Sequence, residues 1–314
     1  MRNFIIFRKK ENKKNTSLKK FSKSDMFWGY SFIAPSILSF LIFNFIAIIA
    51  SFLISFTDWR LIASPNFVGL ANYQKLFTDP VFPKAMINTA IYTFFSVPLG
   101  VFMALLLAVV LNQKIRGLPF FRVLYYTPAI SSSVAVAMVW MWIYSTDYGI
   151  LNYILGLFGI SPVDWLNNTK TVLLAVSTVS IWKDLGFKII ILLAALQDVP
   201  KDMIEAAEID GAGWWKRLTH ITMPLISPAI FFVSVTGFIS AIQSMDLVYN
   251  MRFEQDGGPA RATTTMAFYI YQVAFSYLRM GYGTTLAIIM FLVILIITYI
   301  QWHVRKRFIY LESD

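Results

Sequence analysis

Lys183, Asp184 and Lys188 lie inside residues 171–197, a stretch otherwise apolar and long enough to cross a bilayer. A charge at that depth costs about 2.5–3.5 kcal/mol on insertion scales unless it faces the protein interior or a wet cavity. Asp184 and Lys188 stand four residues apart and can pair along one helix face, which leaves Lys183 without a purpose. A second polar set, Gln243, Asp246 and Asn250, closes the next apolar stretch. Charges of both signs, amide groups and the ring faces of Trp182 and Phe187 are the chemistry of a lining for a hydroxyl-rich solute. Lys183, Asp184, Phe187, Gln243 and Asp246 are therefore the candidate solute pathway, in the outer half of the membrane.

Chemistry of the catalytic kind is not encoded. There is no GxxxxGK[ST] phosphate loop, no HExxH, no Gly-x-Ser-x-Gly, no cysteine, and only two histidines. Neither catalytic nor metal-ligating residues are expected, and the chain should hold no cofactor of its own. If it moves a solute uphill, the energy must come from a partner.

The elements that position these residues follow from composition. At 57% hydrophobic and 14% charged residues, with a mean hydropathy of +0.62, this is an all-α integral membrane protein. Uncharged runs at 26–57, 85–113, 123–146, 218–245 and 280–304 each exceed the ~20 residues a crossing needs. Residues 171–197 make a sixth span, and 98–100 (Pro-Leu-Gly) should kink the second. Residues 58–84 and 147–170 read as exterior loops, the latter with one short surface helix. The net charge of +10 is no nucleic-acid signal, because nine of the 27 Lys and Arg precede the first span and no base-stacking motif follows them.

Residues 262–278 are long enough to be counted as a seventh span, but charge argues against it. With six spans, the cations of the N-terminal tail, of 114–122, of 201–217 and of Arg305-Lys306-Arg307 all lie inside, as the positive-inside rule requires. A seventh span would put the last group outside. The expected organisation is six transmembrane helices with both termini cytoplasmic. It comprises a basic tail at 1–25, a membrane domain at 26–304 and a basic tail at 305–314.

The longest polar interruption, 200–228, lies between two spans on the cytoplasmic side. Pro200 suits a helix start. Asp202, Glu205 and Glu208 form one acidic face, Met203, Ile204 and Ala207 another, and Gly211-Ala212-Gly213 breaks the helix. Glu205-Ala206-Ala207, three residues, Gly211, nine residues, then Ile221-Thr222-Met223-Pro224 resembles the EAA loop of binding-protein-dependent ABC importer permeases. Met223 stands where leucine is usual, an apolar replacement of tolerant shape. Phe67-Val68-Gly69-Leu70-Ala71-Asn72-Tyr73 resembles the GL-x-N-Y segment that follows the first span in the sugar-type permeases.

This resemblance implies the ABC type I importer permease fold in a bacterial inner membrane, with 198–224 as the coupling loop. It implies two cytoplasmic ATPase subunits that bind ATP and Mg, a second permease (a distinct homologue), and an extracellular solute-binding protein. Glu205, Ala206, Ala207, Asp210 and Gly211 would form the ATPase-coupling contact. The solute would be a sugar or oligosaccharide, with glycerol-phosphate as the alternative because Lys183 and Arg252 attract an anion. An ion-coupled secondary transporter is a further alternative, set back by the lack of an internal repeat.

Overall fold

The computed structural model describes residues 23–113, 116–251 and 257–308. Most of the basic N-terminal tail, Lys114, Arg252 and the end of the C-terminal tail lie outside the described residues. The described chain is helical, with two isolated β-bridges and no strand among the described residues.

Residues up to Ser51 and residues from Phe52 onward form two compact units. In the first, α1 (Lys23–Phe40) passes through a π-helical turn at Leu41–Phe45 into α2 (Ile46–Ile54). The apolar stretch Met26–Ile54 has no buried residue.

The second unit opens with α3 (Ala71–Lys75), and here the GL-x-N-Y segment shows its structural use. Gly69 takes a φ of +58°, and Asn72 Nδ2 donates to the carbonyls of Ser55 (2.9 Å) and Thr57 (2.7 Å), while Tyr73 Oη meets Ser55 Oγ at 2.8 Å. The side chains thus satisfy carbonyls left over at the end of the preceding helix. Next come α4 (Val81–Leu111), α5 (Leu118–Ile130), α6 (Ser133–Ile143), α7 (Ile150–Leu157) and α8 (Val172–Gln197). They are followed by α9 (Lys201–Ile209), α10 (Trp214–Arg217), α11 (Met223–Ile242), α12 (Asp246–Asn250), α13 (Met266–Tyr271) and α14 (Met280–Phe308).

Among the described residues, four helical stretches are long and apolar enough to cross a membrane: Met26–Ile54, Val81–Leu111, Trp214–Asn250 and Met280–Arg305. The pair α5 and α6 makes a fifth if counted together, but it is bent by 102°. The expected uninterrupted third span is corrected on this point. Ser131 and Ser132 both adopt extended backbone (ψ 146° and 134°), and Ser131 Oγ donates back to Thr127 O at 2.8 Å. Serine side chains that bond their own backbone replace the helix ladder at the corner. Pro98, by contrast, is carried inside a single helix of 31 residues. α8 is long enough at 26 residues and differs only by its three charges. Residues 262–278 form a short helix, α13, continued by a π turn at Gln272–Ser276, too short to cross.

Three packed clusters hold this unit together. Val97, Val101, Ala104 and Ala108 of α4 meet Ile181, Leu185, Ile189 and Leu192 of α8, with Ile226 and Val233 of α11 against both. Towards the other end of these helices, Tyr92, Val136, Val176 and Val179 close over Leu247 and Val248 of α12. Leu76, Ala85, Met266, Tyr269, Tyr282 and Leu286 form the third. α5 crosses α8 so closely at Gly186 that a Cβ there would lie 2.4 Å from the Tyr125 carbonyl oxygen. Only glycine allows that crossing.

Candidate functional site

The pathway residues stand on α8 and at the joint between α11 and α12. Asp184 and Phe187 are exposed, and Lys183 is half-buried. Lys188 is buried one turn further along, with Nζ 3.9 Å from Asp184 Oδ2. The lysine stem runs between two glycines: a Cβ on Gly100 of α4 would lie 3.4 Å from Nζ, and one on Gly237 of α11 would lie 4.0 Å from Cε. The i, i+4 pair foreseen from spacing therefore forms, and Lys183 has no ion-pair partner among the described residues. Gln243 is exposed just past the end of α11, and Asp246, also exposed, starts α12.

One residue that sequence reasoning missed joins the two sets. Tyr92 of α4 is fully buried. Its Oη lies 3.2 Å from Ser244 Oγ, is hydrogen-bonded to Ser180 as well, and sits within electrostatic reach of both Asp184 and Asp246. The buried hydroxyl thus links α4 to α8 and to the joint before α12. Below it on α4, Thr93 Oγ1 and Ser96 Oγ are buried without a hydrogen-bond partner among the described residues. A buried hydroxyl left unbonded costs about 1–3 kcal/mol, so these two add to the polar capacity of this level. The signal was present in the sequence: Asn88, Thr89, Tyr92, Thr93 and Ser96 recur at helical spacing inside an apolar span. Trp182, considered as a stacking face, is edge-on to Trp140 at 5.5 Å and serves the packing of α6 on α8.

At the other end of α4 and α8 sits the EAA segment. α8 closes where Asp198 N bonds Ala194 O (3.1 Å), Pro200 is extended (ψ 125°), and α9 begins at Lys201. α9 ends at Gly211, whose φ of +78° favours glycine; Gly211 N bonds Glu208 O and Ala212 N bonds Ala207 O. Glu208 Oε2 meets Arg217 Nη1 at 2.5 Å, tying α9 to α10. Between them and the ends of α4 and α8 lies a cavity of about 760 Å³ lined by Asn112, Gln197, Ile204, Glu205, Glu208 and Arg217, among others. Glu205 therefore faces this cavity as well as solvent. Ala206, Asp210 and Gly211 are exposed, and Ala207 is half-buried. The face that α9 turns outward is Met203, Ala206 and Ile209, with Ile209 87% exposed. Met203 and Ile204, grouped on one face by periodicity, are thereby separated, because Ile204 is drawn into the cavity wall.

Residues 82–310 match the family described as "Binding-protein-dependent transport system inner membrane component". The chain is 35% identical to the probable ABC transporter permease protein YesP of Bacillus subtilis, over 96% of each chain. It is 33% identical to the lactose transport system permease protein LacF of Rhizobium radiobacter, over 89% of this chain and 94% of that one. It is 31% identical to the trehalose/maltose transport system permease protein MalF of Thermococcus litoralis, over 88% and 93%. Among solved structures, a chain of a bacterial alginate ABC transporter in complex with an alginate pentasaccharide-bound periplasmic protein superimposes with a TM-score of 0.79 at 24% identity, covering 90% of this chain and 96% of that one.

Proposed function

Since the chain belongs to the family of binding-protein-dependent inner-membrane transport components, we propose that it is the permease subunit of an ABC importer for a sugar or oligosaccharide. The protein is a multi-pass inner-membrane component. Six helical segments cross: α1 with α2, α4, α5 with α6, α8, α11 and α14, leaving both termini in the cytoplasm. It acts without catalytic chemistry of its own. Two ATPase subunits carry ATP and Mg, a second and distinct permease completes the path, and an extracellular binding protein delivers the solute.

The observation that supports this reading is a pair of polar sites at different levels of the same two helices. Tyr92, partway along α4, meets Ser180 of α8 and Ser244 before α12, and α9 with its cavity lies at the C-terminal ends of α4 and α8. Glu205, Ala206, Ala207, Asp210 and Gly211 form the ATPase contact, in which small Ala206 lets the partner approach between Met203 and Ile209. Closure of the ATPases pulls α9, and the rocking of packed helices opens and shuts the path. Lys183, Asp184, Phe187, Gln243 and Asp246 line it. Similarity to permeases named for lactose, arabinooligosaccharides and trehalose/maltose supports a saccharide as the solute.

The test is uptake of radiolabelled oligosaccharides by proteoliposomes that hold this chain with its second permease, ATPase and binding protein. Uptake should require ATP and binding protein together. Uptake that persists without ATP, or accumulation of glycerol-phosphate instead of sugars, would remove the reading.

A further inference from the structure

The segment between α6 and α8 is rigid at its centre and open at its rim. Asn152 of α7 is buried and uses its whole amide on the frame. Nδ2 donates to the carbonyls of Val163 (2.9 Å), Thr146 (3.2 Å) and Ser145 (3.4 Å), and Oδ1 accepts from Val163 N (3.1 Å) and Trp165 Nε1 (3.0 Å). Thr171 Oγ1 donates to the carbonyls of Asp164 and Trp165, both at 3.0 Å, and fastens the far end. Two cavities of about 490 and 320 Å³ open on this frame and share Trp142, Thr146, Asp147 and Tyr148 as a common wall. Trp142 is 54% exposed, and Tyr148 and Tyr153 are each 70% exposed. Unlike Trp165, whose N–H is spent inside the frame, Trp142 Nε1, the hydroxyls of Tyr148 and Tyr153 and the Asp147 carboxylate have no hydrogen bond among the described residues.

Exposed rings beside a membrane span are ordinarily headgroup anchors. Here the carboxylates decide otherwise. Residues 144–171 hold Asp147 and Asp164 and a single cation, Lys170, so a surface of lipid phosphates would meet like charge. Aromatic faces set next to the free Asp147 carboxylate and the Asp164 carboxylate, which Thr146 and Asn167 hold through Oδ1, in a concave and rigid frame, are what a pyranose needs. Its C–H face packs on a ring, and its hydroxyls donate to the carboxylates. The same carboxylates repel a uronate. We propose that these two joined cavities are an outer subsite for neutral saccharide residues, distinct from the Asp184–Tyr92–Asp246 level. The inference rests on the reading above that 147–170 lies outside the membrane.

The assembled importer without its binding protein, held in nanodiscs, would be applied to an array of neutral and uronate-bearing oligosaccharides. Retention on neutral oligosaccharides is expected, falling at least ten-fold in Trp142→Ala and in Asp147→Asn. Asp147 holds no partner among the described residues, so the second variant keeps the fold, which ATP hydrolysis by the assembled complex would verify. No retention on neutral sugars, preference for uronates, or retention unchanged in both variants would overturn the subsite. Retention unchanged together with loss of membrane seating in Trp142→Ala would overturn it too and make the rings lipid anchors. Asp147→Cys in this cysteine-free chain separates the two premises. In sealed vesicles, labelling by an impermeant maleimide only from the inside sinks the topology. Labelling from the outside that the retained sugar does not slow sinks the subsite alone.

Discussion

Tyr269 Oη donates to Asp79 Oδ2 at 2.5 Å, joining α13 to the turn that precedes α4. Tyr282 Oη donates to the same oxygen at 2.5 Å, and Val81 N donates to Oδ1 at 2.9 Å. Burial alone would raise the Asp79 pKa, but these hydrogen bonds outweigh it and hold the carboxyl below its ordinary value of 3.8. Burial and the neighbouring carboxylate together raise the Tyr269 hydroxyl, which therefore stays a donor.

A group whose folded pKa is depressed stabilises the fold above its unfolded pKa, and that contribution fades as pH falls through the folded value. The Asp79 clasp should thus be at full strength above about pH 4 and weaken below it. Asp79→Asn should cost about 1–2 kcal/mol after allowance for its partial exposure. Thermal unfolding in detergent checks this: the wild type should lose more of its Tm than the variant between pH 6 and pH 3.

Gly211→Pro or Glu205→Lys should leave membrane insertion intact and abolish transport-coupled ATP hydrolysis. Gly211 sits at a φ that proline cannot adopt, so α9 would end differently and present Ile209 at another angle. The measurement is ATPase activity of the reconstituted complex with liganded binding protein. Normal stimulation in both variants would count against α9 as the contact.

Asp184→Ala and Lys188→Met should part company, because the lysine is buried and the aspartate half-exposed. Removing Asp184 leaves a cation enclosed between Gly100 and Gly237, whereas Lys188→Met leaves an apolar stem in an apolar slot. Melting temperature should fall further in Asp184→Ala. Transport affinity should fall in Asp184→Ala and Asp246→Ala alike, and unchanged affinity in both would remove them from the path.

Gly186→Ala should destabilise by about 1–3 kcal/mol, since the new methyl meets the Tyr125 backbone rather than a side chain that can move aside. Denaturant midpoints of the purified chain would show it; a neutral change would mean that α5 is free to shift.

How much of this was legible in the sequence varies by residue. Hydrophobic runs located most of the long helices, because a membrane span is written in consecutive residues. Asp184 and Lys188 declared themselves by being charged in such a run, and their spacing foretold their pairing. The corner at Ser131–Ser132 was hidden, because serine is tolerated in spans and only the local backbone angles reveal that it replaces the ladder. Tyr92 was hidden for another reason. A tyrosine in a span is usually packing, and only the arrival of Ser180 and Ser244 from distant sequence gives its hydroxyl partners. Ile209 was overlooked because an isoleucine beside an acidic face reads as packing, and only the fold shows that Ile204 lines the cavity while Ile209 stays exposed.

α4 holds Tyr92 about a third of the way along and sends Val109, with Asn112 just past its end, into the cavity behind α9. Tyr92 and Val109 lie about 25 Å apart along one unbroken helix axis. Inserting one residue between them would twist one end against the other by about 100° and pull Val97, Val101 and Ala104 off α8. On the function proposed above, such a chain should hydrolyse ATP with its partners while passing no solute.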